Sequence, residues 1–284
     1  MPINRREFLK FAGLAVGGTL LGTENVLASA DTSKRVGMLY DATQCVGCNA
    51  CTNGCREWNK TPIEKDPAGR YDAPKELSAK TWTLIQLYKG ENEYSFVKRQ
   101  CMHCLSPACV SACPVHALRQ LENGPVVYDP SRCIGCRYCM YACPFHVPRF
   151  TWDKTIPVIA KCTLCFDRIN SGQGGPRCAE YCPTGALIWG QRDKLLSEAK
   201  GRLAANPNRY HDHVYGENEA GGTSVLYLAS VPYEKLGLPK LGNEPIPELS
   251  ERVEGITLPG ILLGVPLALL GVRYIAKEQG WMEE

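Results

Sequence analysis

Sixteen cysteines divide among four short runs of related spacing, and of all the residues in this 284-residue chain they are the ones best suited to do chemistry. The runs are Cys45, Cys48, Cys51 and Cys55; Cys101, Cys104, Cys109 and Cys113; Cys133, Cys136, Cys139 and Cys143; and Cys162, Cys165, Cys178 and Cys182. The third reads C-x2-C-x2-C-x3-C and is followed by Pro144. With that spacing three thiolates on one loop ligate three irons of a cubane, while the fourth, expected at the start of a short helix, reaches a second cluster. Four quartets with no thiol left over therefore predict four [4Fe-4S] clusters. Gly47 and Gly135 permit the tight loop whose backbone N–H groups point at sulfur. Val46, Ile134 and Leu164 supply an apolar wall, and hydrogen bonding and exclusion of water both act on cluster potential.

Two other uses of cysteine compete with this reading. Disulfides are the default in exported chains, but runs this compact make poor bridge partners within themselves. A structural cysteine-zinc module is the stronger rival, because the fourth run, C-x2-C-x12-C-x3-C, alone resembles a zinc ribbon. Its trailing Cys182-Pro183 and its three companions favour iron. His103, His116 and His146 lie beside ligands and read as packing or hydrogen-bonding groups, since the cysteines complete the ligand count; His211 and His213 read as surface. Arg132, Arg137, Lys161, Arg168 and Arg177 crowd the cysteine loops as solvated or partner-facing charges, or as cations that raise cluster potentials. Gly172, Gly174 and Gly175 fit the twelve-residue spacer better than a nucleotide loop, and the chain has no C-x-x-C-H haem attachment and no His-Cys nickel set.

The elements that must position these thiols are short. Strands are expected over 36–40, 94–97, 126–128 and 156–159, each leading into a cysteine loop, with a short helix after each last cysteine. The second and third quartets flank an Asn123-Gly124 turn and form one complete two-cluster ferredoxin-like module over 96–150. The first and fourth are halves of an outer module, 31–95 and 151–195, split by the inserted one. Residues 61–80, rich in Pro, Lys and Asp, read as a surface loop. A helix over 194–204 leads into a C-terminal extension, 196–254, that includes a polar stretch and a strand over 223–229. The fold class is α+β.

Both ends carry addresses. Residues 1–30 contain Arg5 and Arg6 within a twin-arginine signal, an apolar stretch over 11–21 too short to span a bilayer, and Ala28-Ser29-Ala30 as a cleavage site. Such a route exports folded proteins, as a chain loaded with clusters in the cytoplasm requires. Residues 256–272 lack charges for about 25 Å of helix, which predicts one transmembrane helix over 255–273 with Gly260 and Gly264 on a G-x-x-x-G face and a kink at Pro266. Arg273 and Lys277 downstream put the tail, 274–284, in the cytoplasm and the body on the periplasmic face of the inner membrane. The formal net charge is +3, and loss of residues 1–30 removes one net positive charge, so nucleic acid is not an expected partner.

The quartets, "CMHCLSPACVSACPVHAL" from Cys101, "CIGCRYCMYACPF" from Cys133 and "VYGENEAGGTSVLYLASVPYEKLGLPKL" over 214–241 resemble the HybA-type four-cluster ferredoxin-like subunits of membrane-bound, hydrogenase-2-type [NiFe] hydrogenases. Arg56, where a proline would follow the fourth cysteine, and the x4 spacing of the second quartet depart from the plain pattern without removing a ligand. The resemblance implies that ligands are exchanged between quartets. Cys45, Cys48 and Cys51 would share a cluster with Cys182, and Cys55 would join Cys162, Cys165 and Cys178. Cys101, Cys104 and Cys109 would share with Cys143, and Cys113 with Cys133, Cys136 and Cys139. It also implies a non-catalytic role, carrying electrons between a hydrogenase small subunit and a multi-span quinone-reactive membrane subunit. The electron-transfer subunit of a formate dehydrogenase, or of another molybdenum or tungsten oxidoreductase, is the alternative.

Overall fold

The chain was analysed as a computed structural model, which describes residues 34–64, 76–154 and 157–278. The leader, part of the 61–80 loop, residues 155–156 and the end of the tail lie outside the described residues. The described residues all fall in one unit. In order they form β1 (Val36–Asp41), α1 (Ala50–Asn59), β2 (Leu84–Lys89), β3 (Tyr94–Arg99), α2 (Ala108–Ser111), β4 (Leu118–Gln120), β5 (Val126–Tyr128) and α3 (Tyr138–Ala142). There follow β6 (Arg149–Phe150), β7 (Ile159–Ala160), α4 (Phe166–Asn170), α5 (Arg177–Glu180), β8 (Leu187–Gln191), α6 (Arg192–Ala205), a 3-10 turn (Glu219–Gly221), β9 (Val225–Leu228) and α7 (Ile246–Glu278).

Strand β1 is the centre of a three-stranded sheet in the order β8-β1-β9. It pairs antiparallel with β8, Val36 opposite Gln191, and parallel with β9, Met38 opposite Val225. Both its faces are covered, which is why it reads as a near-continuous apolar run. Met38 and Tyr40 join the cluster that includes Cys51, Cys101 and Cys178, while Leu39 packs with Leu195 and Ala199 of α6 and with Leu226 and Leu228 of β9. The close approach of β9 requires Gly37, where an added Cβ would stand 2.4 Å from the Ser224 carbonyl oxygen. The other sheets are two-stranded: β2 with β3, β4 with β5 around the turn at Asn123 and Gly124, and β6 with β7.

The cysteine loops repeat one backbone pattern, but the helix stands elsewhere than expected. In the second, third and fourth quartets a short helix precedes the fourth cysteine instead of following it. The cause is the proline after Cys113, Cys143 and Cys182, which disfavours helical dihedrals at the residue before it. Cys143, with φ −80° and ψ 112°, is accordingly extended. Arg56 imposes no such limit on Cys55, so α1 continues through it to Asn59. After each Cys-Pro the chain turns back, with the N–H groups of His116, His146 and Gly185 donating to the carbonyls of Cys113, Cys143 and Cys182. All three have positive φ. Helix α1 packs on α5, and α2 on α3.

The strands expected over 36–40, 94–97 and 126–128 form, the first two slightly longer. The fourth is only Ile159–Ala160, since Pro157 cannot donate to a ladder. Helix α7 is continuous through Pro259 and Pro266, and its described side chains from Pro259 to Tyr274 are exposed. That stretch covers about 24 Å, short of the ≈ 30 Å hydrocarbon core. Among the described residues no helix is long and apolar enough to cross a membrane.

Candidate metal centres

The loop geometry begins two residues after each first cysteine, where Gly47, His103, Gly135 and Leu164 all have positive φ. In three of the loops the amide of this left-handed residue itself faces the first cysteine's sulfur. Gly47 N–H donates to Cys45 Sγ at 3.5 Å, Gly135 N–H to Cys133 Sγ at 3.4 Å and Leu164 N–H to Cys162 Sγ at 3.4 Å. At Gly47 the ring of Phe96 would lie 2.4 Å from an added Cβ, so the loop is also closed sterically. The amide of Ala117 reaches Cys113 Sγ at 3.2 Å, and Asn59 Nδ2–H reaches Cys55 Sγ at 3.5 Å.

The thiols gather across quartets. Cys45, Cys48, Cys51 and Cys182 line one hollow of about 320 Å³ with Tyr40 and Lys98. Cys113, Cys133, Cys136 and Cys139 line another of about 280 Å³ with Ile134 and Arg137. Burial pushes the Cys55 thiol well up, and the charges of Cys162, Cys178 and Cys165 act in the same direction against Lys98. Burial likewise raises Cys104, reinforced by Cys101, Cys143 and Cys109. Cys139 is pushed up to about 12, by burial first and then by Cys136, Cys113 and Cys133. Such thiols are neutral at pH 7 unless a positive centre stabilises their thiolates.

The thiols of successive sets adjoin one another in turn. Cys51 of the first set acts on Cys178 of the second, Cys101 of the third on Cys162 of the second, and Cys139 of the fourth on Cys109 of the third. The end sets contain the exposed thiols, Cys48 and Cys136; those between are buried or half-buried. Among the described residues no group of three or more His, Cys, Asp or Glu side chains is placed to hold a metal ion directly. All-thiol donors, amides aimed at sulfur and apolar walls fit polynuclear iron–sulfur centres.

The basic residues separate by role. Arg168 is buried and structural: its guanidinium donates to the carbonyls of Gly175 and Gln173, pairs with Glu180 at 2.7 Å and stacks over Trp58. It ties down the twelve-residue spacer. Arg177 bridges Glu57 and Glu180, Arg132 pairs with Asp129, and Arg137 lies over Trp152. Lys161 alone of the five reaches a thiol, Cys101 Sγ at 4.0 Å. Lys98 escaped the sequence reading, because an alternating strand marks it as an ordinary outward cation. Burial alone would lower its pKa, but Cys51, Cys178, Tyr227 and Cys55 together outweigh that and the net direction is upward. His103 is fully buried and accepts the Val126 N–H at Nδ1, which leaves its proton on Nε2 without a partner in the protein. His116 and His146 are exposed turn residues.

Two models of the 4Fe-4S dicluster domain match the chain, over residues 44–118 and 92–192. The hydrogenase-2 operon protein HybA of Escherichia coli O157:H7 is 39% identical over 94% of this chain and 93% of its own length. The chain belongs to the HybA family. As in that family, it is an iron–sulfur electron-transfer subunit with ferredoxin-like 4Fe-4S domains in an α+β fold. A protein of Nitratidesulfovibrio vulgaris is 39% identical over 98% of the chain and 78% of its own length. The nitrate-inducible formate dehydrogenase iron–sulfur subunit of Escherichia coli K12 is 40% identical over 74% of the chain and 74% of its own length. HybA-type resemblance thus extends into the C-terminal extension, whose strand β9 is fully buried beside β1.

Proposed function

We propose that the chain is the non-catalytic subunit that carries electrons between a periplasmic [NiFe] hydrogenase small subunit and a quinone-reactive membrane subunit. The observation that carries this is the row of four all-cysteine sets with exposed thiols at both ends. Cys45, Cys48, Cys51 and Cys182 would hold one [4Fe-4S] cluster; Cys55, Cys162, Cys165 and Cys178 the second; Cys101, Cys104, Cys109 and Cys143 the third; Cys113, Cys133, Cys136 and Cys139 the fourth. When bound, each cluster supplies a one-electron redox couple. The protein contributes amides to sulfur, apolar walls and fixed charges. The pairing of α1 with α5 and of β1 with β8 supports an outer module into which the module over 96–150 is inserted.

The twin-arginine leader supports export to the periplasm. Helix α7 supports attachment at the inner membrane: Ile261, Leu262, Leu263, Val265, Leu269 and Leu270 are all exposed, an apolar surface that water disfavours. As a transmembrane anchor it would be short, a mismatch that tilt-free insertion and local thinning accommodate at modest cost. The helix leaves the body at α2, where Ser111 Oγ donates to Glu251 at 2.6 Å. That contact supports placing the set with Cys113 toward the membrane partner and the set with Cys48 toward the hydrogenase.

The formate dehydrogenase relatives support a molybdenum or tungsten enzyme as the second reading. Purification of the intact complex under anaerobic conditions separates the two. Nickel in the co-purified large subunit and about sixteen iron and sixteen sulfide per copy of this chain are the expected results. Molybdenum or tungsten in place of nickel replaces the partner, and zinc in place of iron overturns the electron-transfer reading.

A further inference from the structure

Two lysines sit inside the row of cysteine sets. Lys98, in β3, is 0% exposed, and Lys161, directly after β7, is 3% exposed. The oxygens they bond are neutral, Thr83 Oγ1 for Lys98 and the carbonyls of Val126 and Cys162 for Lys161, which also lies 4.0 Å from Cys101 Sγ. A buried ammonium with only neutral acceptors is costly unless anions stand close by. The anions at hand are the thiolates. Lys98 lines the hollow of the first set with Cys45, Cys51 and Cys182, and Cys55 and Cys178 of the second set act on it as well. Lys161 is the chain neighbour of Cys162 of the second set and lies 4.0 Å from Cys101 Sγ of the third, where it also acts on Cys109 and Cys143. Each lysine thus occupies the junction between two neighbouring sets. Arg132, which precedes Cys133 as Lys161 precedes Cys162, is instead paired with Asp129 on the surface.

We propose that Lys98 and Lys161 are junction cations, each raising the reduction potentials of the two clusters it separates by favouring the reduced, more anionic state of both. This rests on the ligand assignment above. The second set, bordered by both lysines, is raised by both, and the fourth by neither. The lysines are positioning residues for charge and take no part in ligation. The two cations thus grade the row, the second cluster raised most, the first and third less and the fourth not at all.

The test uses the intact complex with Lys98→Gln or Lys161→Gln, since an amide keeps the hydrogen-bond donor and removes the charge. Iron content is measured first, then each cluster is titrated potentiometrically by electron paramagnetic resonance, signals being assigned by Cys→Ser variants. With iron unchanged, Lys98→Gln is expected to lower the first and second clusters about tenfold in reduced-to-oxidised ratio at fixed potential, about 59 mV for one electron. Lys161→Gln should do the same to the second and third. Unmoved potentials, or an equal shift of all four, would overturn the proposal. If glutamine costs iron, Lys98→Arg and Lys161→Arg decide: wild-type iron and potentials support the charge, and a comparable fall refutes it. A wild-type complex without four cluster signals would instead sink the ligand assignment itself.

Discussion

A serine at position 55 removes a thiolate from α1, yet the thiols that act on Cys55 are Cys162, Cys165 and Cys178, far along the chain. Cys55→Ser is therefore expected to lower iron by about a quarter and to remove the signal of the cluster shared with Cys162, leaving that of Cys45, Cys48 and Cys51 intact. Iron analysis with resonance spectra checks this, and loss of the neighbours' cluster would refute the exchange. A second residue-scale effect is independent of metal. His213 contacts Asp212 at 2.6 Å and Glu219 at 2.9 Å. Burial opposes its protonation, but the two carboxylates prevail and raise its pKa above the ordinary ≈ 6.5. A raised folded value means stability fully present below about 6.5 and lost as pH climbs through that raised value. His213→Ala should thus cost more stability at pH 5.5 than at pH 8.5, by on the order of 0.5 kcal/mol because the His213 and Asp212 side chains are exposed, as thermal unfolding at the two pH values would show. Equal losses at both would remove the ion pairs from the account. At this scale the sequence marked every cysteine, because spacing is local. It could not mark Lys98, whose role depends on where β3 passes between sets contributed by residues 51 and 178.

Elements here are set by single residues. Replacing Arg56 by proline would restore the Cys-Pro pattern of the other quartets, but Cys55 is helical and α1 continues for four residues beyond it. Proline inside a helix loses a hydrogen bond and clashes with the preceding turn, so Arg56→Pro should cost about 3 kcal/mol, roughly 10 °C in Tm. An unchanged Tm would show that α1 ends at Cys55. Gly37→Ala tests the β1–β9 pairing in the same way: its methyl meets backbone, the Ser224 carbonyl, and a loss of about 1–3 kcal/mol is expected by thermal unfolding. Strands β1, β3 and β5 were legible because short apolar runs and turn residues act within a few positions. Strand β2 was not read, since its turn Gly90–Glu93 is polar and continuous in composition with the loop before it. The helices were expected on the wrong side of the fourth cysteine, although the proline that places them was in view. The parallel partnership of β1 with β9 depends on contacts nearly 190 residues apart, which no local pattern encodes.

For the molecule as a whole, apolar burial is unevenly distributed. The largest cluster of buried residues includes Cys51, Cys101, Cys143, Cys162 and Cys178, and the smallest sheet region around Leu118 and Phe150 includes Cys139. The cluster of Leu39, Leu195, Ala199, Val214, Leu226 and Leu228 contains no cysteine. Metal binding is folding energy where the ligands themselves form the core. Anaerobic chelation of iron should therefore unfold the chain in parts. Amide protection is expected to collapse across residues 45–59, 101–113, 133–150 and 162–182, while α6 and β9 retain part of theirs. Hydrogen exchange read by mass spectrometry, before and after chelation, measures this directly. Uniform protection after the iron has left would mean that side-chain packing alone holds the cysteine loops, and the clusters would then be passengers in a body that folds without them.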